Sequence, residues 1–203
     1  MTSFTISRRV ALSGILGAAV APAFPALALG TDEAEAFIKT ILGELRELLK
    51  EDDAGPEGTA KFLKLLDAKA ALPLVGKFAV GRSWREMSEA QRTSFQAAFR
   101  NYIAKTYQKR FGDYAGEDIL IASSRDLGKK GVLVKSALTR PNGQEFDIEW
   151  LVSDRAGPTK LADIVFEGVS LSVTLRELFG GMIEQRGGDI DAFIADLASS
   201  EGA

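Results

Sequence analysis

Residues 145–153 read EFDIEWLVS, and their side chains alternate between two kinds. Phe146, Ile148, Trp150 and Val152 are apolar or aromatic, and the residues between them are mixed in character and partly acidic. Because successive side chains of a strand point to opposite faces, this stretch predicts a β-strand with one almost purely apolar face. An antiparallel sheet that is covered on one side has this pattern.

Three more short runs, rich in β-branched and apolar residues, accompany this strand, at Ile119–Ser123, Val132–Thr139 and Thr159–Phe166. Turn sequences separate the last three strands at Pro141-Asn142-Gly143 and Ala156-Gly157-Pro158. Connections this short predict an antiparallel meander. One face of the second run carries Val132, Val134, Ser136 and Leu138.

Helical periodicity lies on both sides of the predicted sheet, because apolar residues recur three and four positions apart. The predicted helical segments are one from Ala34, a shorter one at Glu57–Leu66, short turns within Leu72–Gly81, a long helix from Ser88 to Gly112, one from about Val173 to Gln185, and a last one that presents Ile190, Phe193, Ile194 and Leu197. Ser88 and Gln91 form a capping-box pattern at the start of the long helix. The fold class is therefore α+β, with a curved antiparallel sheet of about four strands packed against helices.

The first 28 residues are typical of an export signal. Arg8 and Arg9 precede an apolar run of small residues, and Ala26-Leu27-Ala28 supplies the small side chains that a signal peptidase needs, so we expect cleavage near Ala28. The paired arginines leave both the general secretory and the twin-arginine route open. A membrane anchor is the competing interpretation, but glycines and prolines interrupt a run shorter than the ~20 apolar residues that span a bilayer. Residues 29–203 are expected to form a single domain in the periplasm.

The composition restricts the chemistry of this chain. It contains no cysteine and no histidine, which excludes Ser-His-Asp and Cys-His nucleophile arrangements and the usual zinc sites. The formal net charge is −3, and it becomes −5 without Arg8 and Arg9, because the predicted signal contains no acidic residue. A mildly acidic protein has no electrostatic attraction to nucleic acid or to an anionic membrane. No metal, cofactor or nucleic-acid partner is predicted.

One segment carries most of the identity of the sequence, namely DIVFEGVSL at residues 163–171. It is followed by Thr174, Arg176, Phe179 and Gly187-Gly188-Asp189, and preceded by Gly81-Arg82, Trp84, Gln91-Arg92, Phe95, Phe99, Tyr107, Tyr114 and Trp150-Leu151-Val152. In order and spacing these motifs resemble the MlaC-type, or toluene tolerance, family of periplasmic phospholipid-binding proteins. The resemblance extends from about Phe37 to Leu197.

The resemblance implies a carrier without catalytic activity, with an NTF2-like cone-shaped fold and an apolar cavity. It further implies that the acyl tails of a phospholipid are enclosed and that the lipid is shuttled between an outer-membrane lipoprotein complex and an inner-membrane ABC transporter with its MCE-type ring protein. Thr159 and Ala162 stand where the family often has large aromatic residues, and Leu175 stands at a usual tyrosine position. These departures leave a hopanoid or another apolar lipid as an alternative ligand.

The candidate lipid-binding residues are the apolar side chains of the predicted sheet face and of the helical stripes that face it. They are Phe62, Leu66, Leu74, Phe78, Phe95, Phe99, Tyr102, Ile103, Tyr107, Val134, Phe146, Ile148, Trp150, Val152, Ile164, Phe166, Val169, Leu171 and Phe179. Packing into a solid core is the competing interpretation of each, since the same periodicity serves both purposes.

Charged and polar residues suggest further roles. Lys129-Lys130 and Arg140, at predicted strand ends, are candidates for a docking surface, and Arg176 is a candidate for a structural ion pair. Asp163 and Glu167 form either an acid-base pair or, as we favour, ligands of backbone amides.

Two other functions stay open. One is an NTF2-like isomerase or dehydratase on a small apolar substrate, with a carboxylate or one of Tyr102, Tyr107 and Tyr114 as a polar group of its pocket. The other is a structural adaptor whose apolar stripes pack solidly.

Overall fold

The computed structural model describes residues 29–50, 56–112 and 118–200. The predicted export signal and Tyr114 lie outside these residues. The elements are α1 (Thr31–Lys50), α2 (Pro56–Lys69), α3 (Leu72–Val80), α4 (Ser83–Glu86), α5 (Glu89–Gly112), β1 (Asp118–Asp126), β2 (Val132–Thr139), β3 (Glu145–Ser153), β4 (Lys160–Phe166), β5 (Val169–Ser170), α6 (Leu171–Gln185) and α7 (Ile190–Ser199), with a 3-10 turn at Gly128–Lys130. None of the helices in the described ranges has the length and apolar character of a membrane span.

The strands form one antiparallel sheet in the order β1-β2-β3-β4-β5, which confirms the predicted α+β meander. The sheet has one strand more than the four expected. The fifth arises because Glu167 and Gly168 both have positive φ, 49° and 79°, and form a two-residue hairpin turn that pairs Phe166 with Val169. Two residues of strand are too short for an alternating pattern to reveal.

The predicted alternation is confirmed across the sheet. Trp150 lies opposite Val134 on one side and Ile164 on the other, and all three belong to the same apolar cluster. Ala34 and Ile38 of α1 pack on this face and are fully buried. We call it the inner face of the sheet. Because α1 covers the inner face, the odd-numbered residues of β3, which point to the opposite face, are less buried than their neighbours.

The prediction of short turns within Leu72–Gly81 was wrong, because Leu72–Val80 forms one continuous helix that Gly81 ends. Pro73 sits in the first turn of α3, where a missing backbone N–H costs nothing. Gly76 lies against the ring of Phe99, and a Cβ at this glycine would approach the Cδ1 atom to 2.9 Å. The glycine therefore lets α3 and α5 pack closely without ending the helix.

The predicted start of α5 is confirmed in atomic detail. The Gln91 backbone N–H donates to Ser88 Oγ at 3.2 Å, and the Ser88 backbone N–H donates to Gln91 Oε1 at 2.9 Å. Each side chain thus satisfies one N–H group that the helix leaves unpaired. Ser170 and Asp189 are the N-caps of α6 and α7, where their side chains accept from the backbone N–H groups of Val173 and Ala192.

Candidate functional site

The inner face of the sheet carries one large apolar cluster together with α1. A buried hydrogen bond fixes its central ring: the indole Nε1 of Trp150 donates to Ser136 Oγ at 2.8 Å, and Ser136 Oγ lies 3.3 Å from the carbonyl oxygen of Ile148. Ser136 is therefore the partner that lets a tryptophan N–H be buried in an apolar wall.

A second large cluster lies among α3, α5, α6 and α7. Its centre is a group of rings in mutual contact: Phe95 lies 5.7 Å from Phe99 and 6.0 Å from Phe193, and Phe179 lies 5.5 Å from Phe193. The four phenylalanines are fully buried. Phe193 completes the cluster from α7, and the sequence did not mark it as a site residue.

A small third cluster, built on Leu45, Phe62 and Ala104, joins α1, α2 and α5. Leu66 and Tyr107 are half-buried and contact both this cluster and the helical one. These two candidate residues therefore connect the helical cluster to the cluster that joins α1, α2 and α5.

The structure sorts the sequence-predicted lining residues into these groups. On the inner face of the sheet lie Val134, Phe146, Ile148, Trp150, Val152, Ile164 and Phe166. In the helical cluster lie Phe95, Phe99, Tyr102, Ile103 and Phe179, with half-buried Leu66, Tyr107 and Leu171 at its edge, and Phe62 belongs to the third cluster. Lipid contact by these residues stays a prediction.

Three predicted lining residues lie on the surface, apart from both clusters. Leu74 is 46%, Phe78 43% and Val169 62% exposed. Leu74 and Phe78 are one turn apart on the side of α3 that faces away from Leu72 and Ala79. The apolar composition of this segment concealed which side of the helix would be covered.

The described residues also enclose a pocket of about 240 Å³ on the outer face of the sheet. It is lined by Ala71, Leu74, Lys130, Leu151, Ser153, Arg155, Ala156, Lys160 and Ala162. Sequence reasoning singled out Leu74, Lys130 and Ala162 for three different reasons and did not bring them together. They meet because Ala71 donates its N–H to the carbonyl oxygen of Leu161, which ties the start of α3 to β4.

The aspartate of the DIVFEGVSL segment joins β4 to α6. One oxygen of Asp163 accepts from the backbone N–H groups of Ile164 and Ser172, both at 3.0 Å, and from Ser172 Oγ at 2.8 Å. The other oxygen accepts from Ser170 Oγ at 2.6 Å. A carboxylate at the N-terminus of a helix is also favoured by the helix dipole. Asp163 thus has a structural role in orienting α6.

Glu167 bonds a backbone amide, as expected from the sequence. Its Oε1 accepts from the Asp147 backbone N–H at 2.5 Å, while its own N–H donates to the Asp147 carbonyl oxygen at 3.0 Å. The side chain takes the place of a strand carbonyl and holds the hairpin turn against β3. Neither acid is left available as an acid-base pair.

Arg176 makes a different contact from the predicted ion pair. Within the described ranges its guanidinium lies 5.0 Å from the ring centroid of Phe78, and no carboxylate pairs with it. Arg140 lies likewise 4.9 Å from the ring centroid of Phe146. Both arginines cover apolar rings at the surface.

The two docking candidates lie at opposite ends of the same strand. Lys129 and Lys130 precede β2 and Arg140 follows it, so at ~3.3 Å per residue they are separated by roughly 25 Å. They do not form one patch.

One ion pair joins α2 to α5 near the pocket. Arg100 donates from Nε to Asp67 Oδ1 at 2.8 Å and from Nη2 to Oδ2 at 2.5 Å. These hydrogen bonds hold the pKa of Asp67 below its ordinary value, and the Coulomb attraction of Arg100 and Lys160 adds to this against partial desolvation.

Comparison with known proteins places this architecture in a family. The model of the MlaC protein family matches residues 37–199. The chain belongs to the MlaC family. Toluene tolerance protein Ttg2D of Pseudomonas putida is 20% identical over 110 residues, which are 54% of this chain and 51% of that protein. The chain thus spans about half the length of this relative.

A solved structure has a similar fold. The phospholipid-binding protein of Ralstonia solanacearum, determined in complex with a phospholipid, superposes with a TM-score of 0.67 at 24% identity, over 82% of this chain and 99% of that one. At this level of sequence identity, the similarity between the two structures is evidence for a shared fold and for nothing beyond it. It agrees with the α+β architecture described above.

Proposed function

We propose that this chain is a periplasmic phospholipid carrier that encloses acyl tails between the inner face of the sheet and the helices. It is exported by the signal in residues 1–28 and acts without catalysis. Membership of the MlaC family and the phospholipid complex of a protein with the same fold support this proposal.

The observation that carries it is the division of the apolar core. A domain usually has one contiguous hydrophobic core with smaller satellites. In the described part of this chain two large clusters are separate, one on the sheet and α1 and one among α3, α5, α6 and α7. Half-buried apolar residues border each of them, including Ile164 and Phe166 on the sheet and Leu66 and Tyr107 on the helices. We place the hydrocarbon tails between the two clusters, where these half-buried apolar side chains would contact them.

The energetics favour handover by contact. Burying hydrocarbon contributes ~0.8 kcal/mol per methylene, so two enclosed tails approach the practical limit of non-covalent affinity near −18 to −21 kcal/mol. Release into water is then negligible. We therefore place the chain between an outer-membrane lipoprotein complex and an inner-membrane ABC transporter with its MCE-type ring protein.

The polar groups support binding rather than isomerase or dehydratase chemistry. Asp163 in the middle of β4 and Glu167 just after its end accept hydrogen bonds from backbone amides, and the ring of Tyr102 is buried 5.7 Å from that of Phe179. A general base has to reach a substrate proton in its pocket. The geometry of these groups serves the fold.

Native mass spectrometry of residues 29–203, purified from the exporting host, tests the proposal. We expect an added mass of several hundred daltons that extracts into chloroform and fragments as a phospholipid. Fragments of a hopanoid would identify the alternative ligand. A protein that carries no extractable lipid, even after incubation with phospholipid vesicles, would contradict the carrier function.

A tryptophan substitution tests the location of the tails. Ile164→Trp fills space at the half-buried edge of the inner face, and Leu120→Trp is the matched control on β1, where the side chain is 67% exposed. If the space is occupied by lipid, the first variant loses lipid and, compared in the lipid-free form, is as stable as the lipid-free wild type. If it is filled by protein, the same change costs about 1–3 kcal/mol of overpacking without displacing lipid.

A further inference from the structure

The pocket on the outer face of the sheet is distinct from the surface that we assign to the acyl tails. Leu151 and Ser153 line it, and strand alternation points them away from Trp150 and Val152 of the inner face. Its remaining walls come from the start of α3, the 3-10 turn before β2, the turn between β3 and β4, and β4 itself. We call it the basic pocket.

Its size suits one or two side chains. The volume of about 240 Å³ is below the ~300–1,000 Å³ of pockets that enclose small-molecule ligands. Ala71, Ala156 and Ala162 leave this space unfilled because their side chains are small, and Leu74 and Leu151 make its lining apolar. A diacyl lipid is far too large for this space.

Positive charge surrounds the apolar floor. Lys130, Arg155 and Lys160 line the pocket, and none of its lining residues is acidic. Lys160 Nζ donates to the carbonyl oxygens of Asp67 and Ala68 at 2.9 and 2.5 Å, which fixes it at the end of α2. The side chains of Lys130 and Arg155 are exposed and have no hydrogen bond or ion pair within the described ranges. A chain of net charge −3 therefore presents a local cationic site.

Exposed apolar side chains continue the pocket along the helices. Leu74 leads to Phe78 on the same side of α3, and Arg176 of α6 covers the Phe78 ring. Val173, one turn before Arg176, is 45% exposed. Adjacent exposed apolar residues with charged neighbours are typical of an interaction surface.

We propose that the basic pocket docks an acidic segment of a partner protein. A carboxylate of the partner lies between Lys130 and Arg155, and an apolar neighbour packs on Leu74 and Leu151. A concave site of this size admits side chains of a peptide better than it fits a flat bilayer surface, and the positive charge of its rim complements a carboxylate. This inference rests on the proposed function, because a carrier that releases lipid only by contact needs such a surface.

The test compares two charge reversals of equal size. Lys130→Glu with Arg155→Glu changes the rim, and Lys39→Glu with Lys105→Glu changes exposed lysines of α1 and α5, which contribute nothing to the pocket. Affinity is measured by biolayer interferometry for the purified MCE-type ring protein, for the outer-membrane lipoprotein complex, and for vesicles of phosphatidylglycerol and phosphatidylethanolamine. Thermal melts verify folding, and Lys130→Gln with Arg155→Gln replaces the rim variant if the reversal unfolds the protein.

We expect the rim variant to bind at least one of the two protein partners tenfold or more weakly than the control does, with a difference that narrows in high salt. Equal affinity of rim and control variants for both proteins, or no binding of the wild type to either, overturns the inference. A loss confined to the vesicles also overturns it and assigns the pocket to a membrane surface. Lipid retention in native mass spectrometry is expected to be unchanged by the rim variant, so a failure of the lipid-carrier proposal is recognised separately.

Discussion

Replacing Asp163 should lower the free energy of unfolding of the domain without abolishing its activity in a lipid transfer assay. Asp163→Ala removes an acceptor of four hydrogen bonds, two from backbone N–H groups and two from the hydroxyls of Ser170 and Ser172. Hydrogen bonds to a charged group contribute roughly 1.5–3 kcal/mol each, but the four share one side chain and are not additive. Ser172 is buried and would keep a hydroxyl without its acceptor. We expect a loss of about 3–4 kcal/mol in the free energy of unfolding.

Asp163→Asn is the matched control for this prediction. Its amide oxygen still accepts from Ile164 and Ser172, and its NH2 group can donate to Ser170 Oγ, so we expect a loss of only about 1 kcal/mol. Urea unfolding followed by circular dichroism measures both variants of residues 29–203. At about 2–4 °C per kcal/mol for a domain of this size, the alanine variant should melt roughly 10 °C lower.

Two results would refute the structural role of Asp163. One is an alanine variant as stable as the wild type. The other is an asparagine variant that keeps full stability but loses the activity of the protein in a lipid transfer assay, since that outcome requires a carboxylate for function.

Three other predictions follow from single contacts. Gly131→Ala should lower the free energy of unfolding by roughly 2–3 kcal/mol or prevent folding, because φ of Gly131 is 111° and an added Cβ would lie 2.1 Å from the carbonyl oxygen of Val152. Soluble yield and thermal melts measure this effect. A variant as stable as the wild type would contradict the close packing of Gly131 on β3. Ser136→Ala should lower the free energy of unfolding by about 1–3 kcal/mol, because it leaves the buried indole N–H of Trp150 without an acceptor. Urea unfolding measures the stability, and the tryptophan emission spectrum reports the change around the indole. If neither changes, the indole has found another acceptor. The lowered pKa of Asp67 means that its ion pair stabilises the fold above the ordinary value of about 3.9 and ceases to do so as pH falls through the folded-state value. The difference in unfolding free energy between wild type and Asp67→Asn should therefore be small, as for an exposed pair, constant from neutral pH to about 5, and smaller as the pH falls through the folded-state pKa of Asp67. A difference that grows with acid would be contrary to the assignment.

Local patterns accounted for most elements of the fold. The strands β2 and β3 have the predicted bounds, and β4 begins one residue later than predicted. The capping box of α5 was legible because both of its partners lie within four residues. The continuous helix α3 was not, because Pro73 and Gly76 weaken a helix in isolation and only the contact of the glycine with Phe99 makes it useful.

The sequence predicted each of the two apolar surfaces of the candidate site, but not how they are arranged relative to each other. Alternation identified the inner face of β3, and helical spacing identified the aromatic stripe of α5. Neither indicates whether the two surfaces touch, since that depends on elements about 50 residues apart. The separation into two large clusters was found only in the folded molecule.

The sequence by itself determined the α+β class, the apolar face of the sheet and the family, because these depend on residues that are neighbours along the chain or on the order of its motifs. The tertiary structure decided which apolar residues are exposed, what Asp163 bonds, and that Leu74, Lys130 and Arg155 meet around one pocket. Such contacts join residues that lie far apart along the chain, and only the packing of the complete fold selects them.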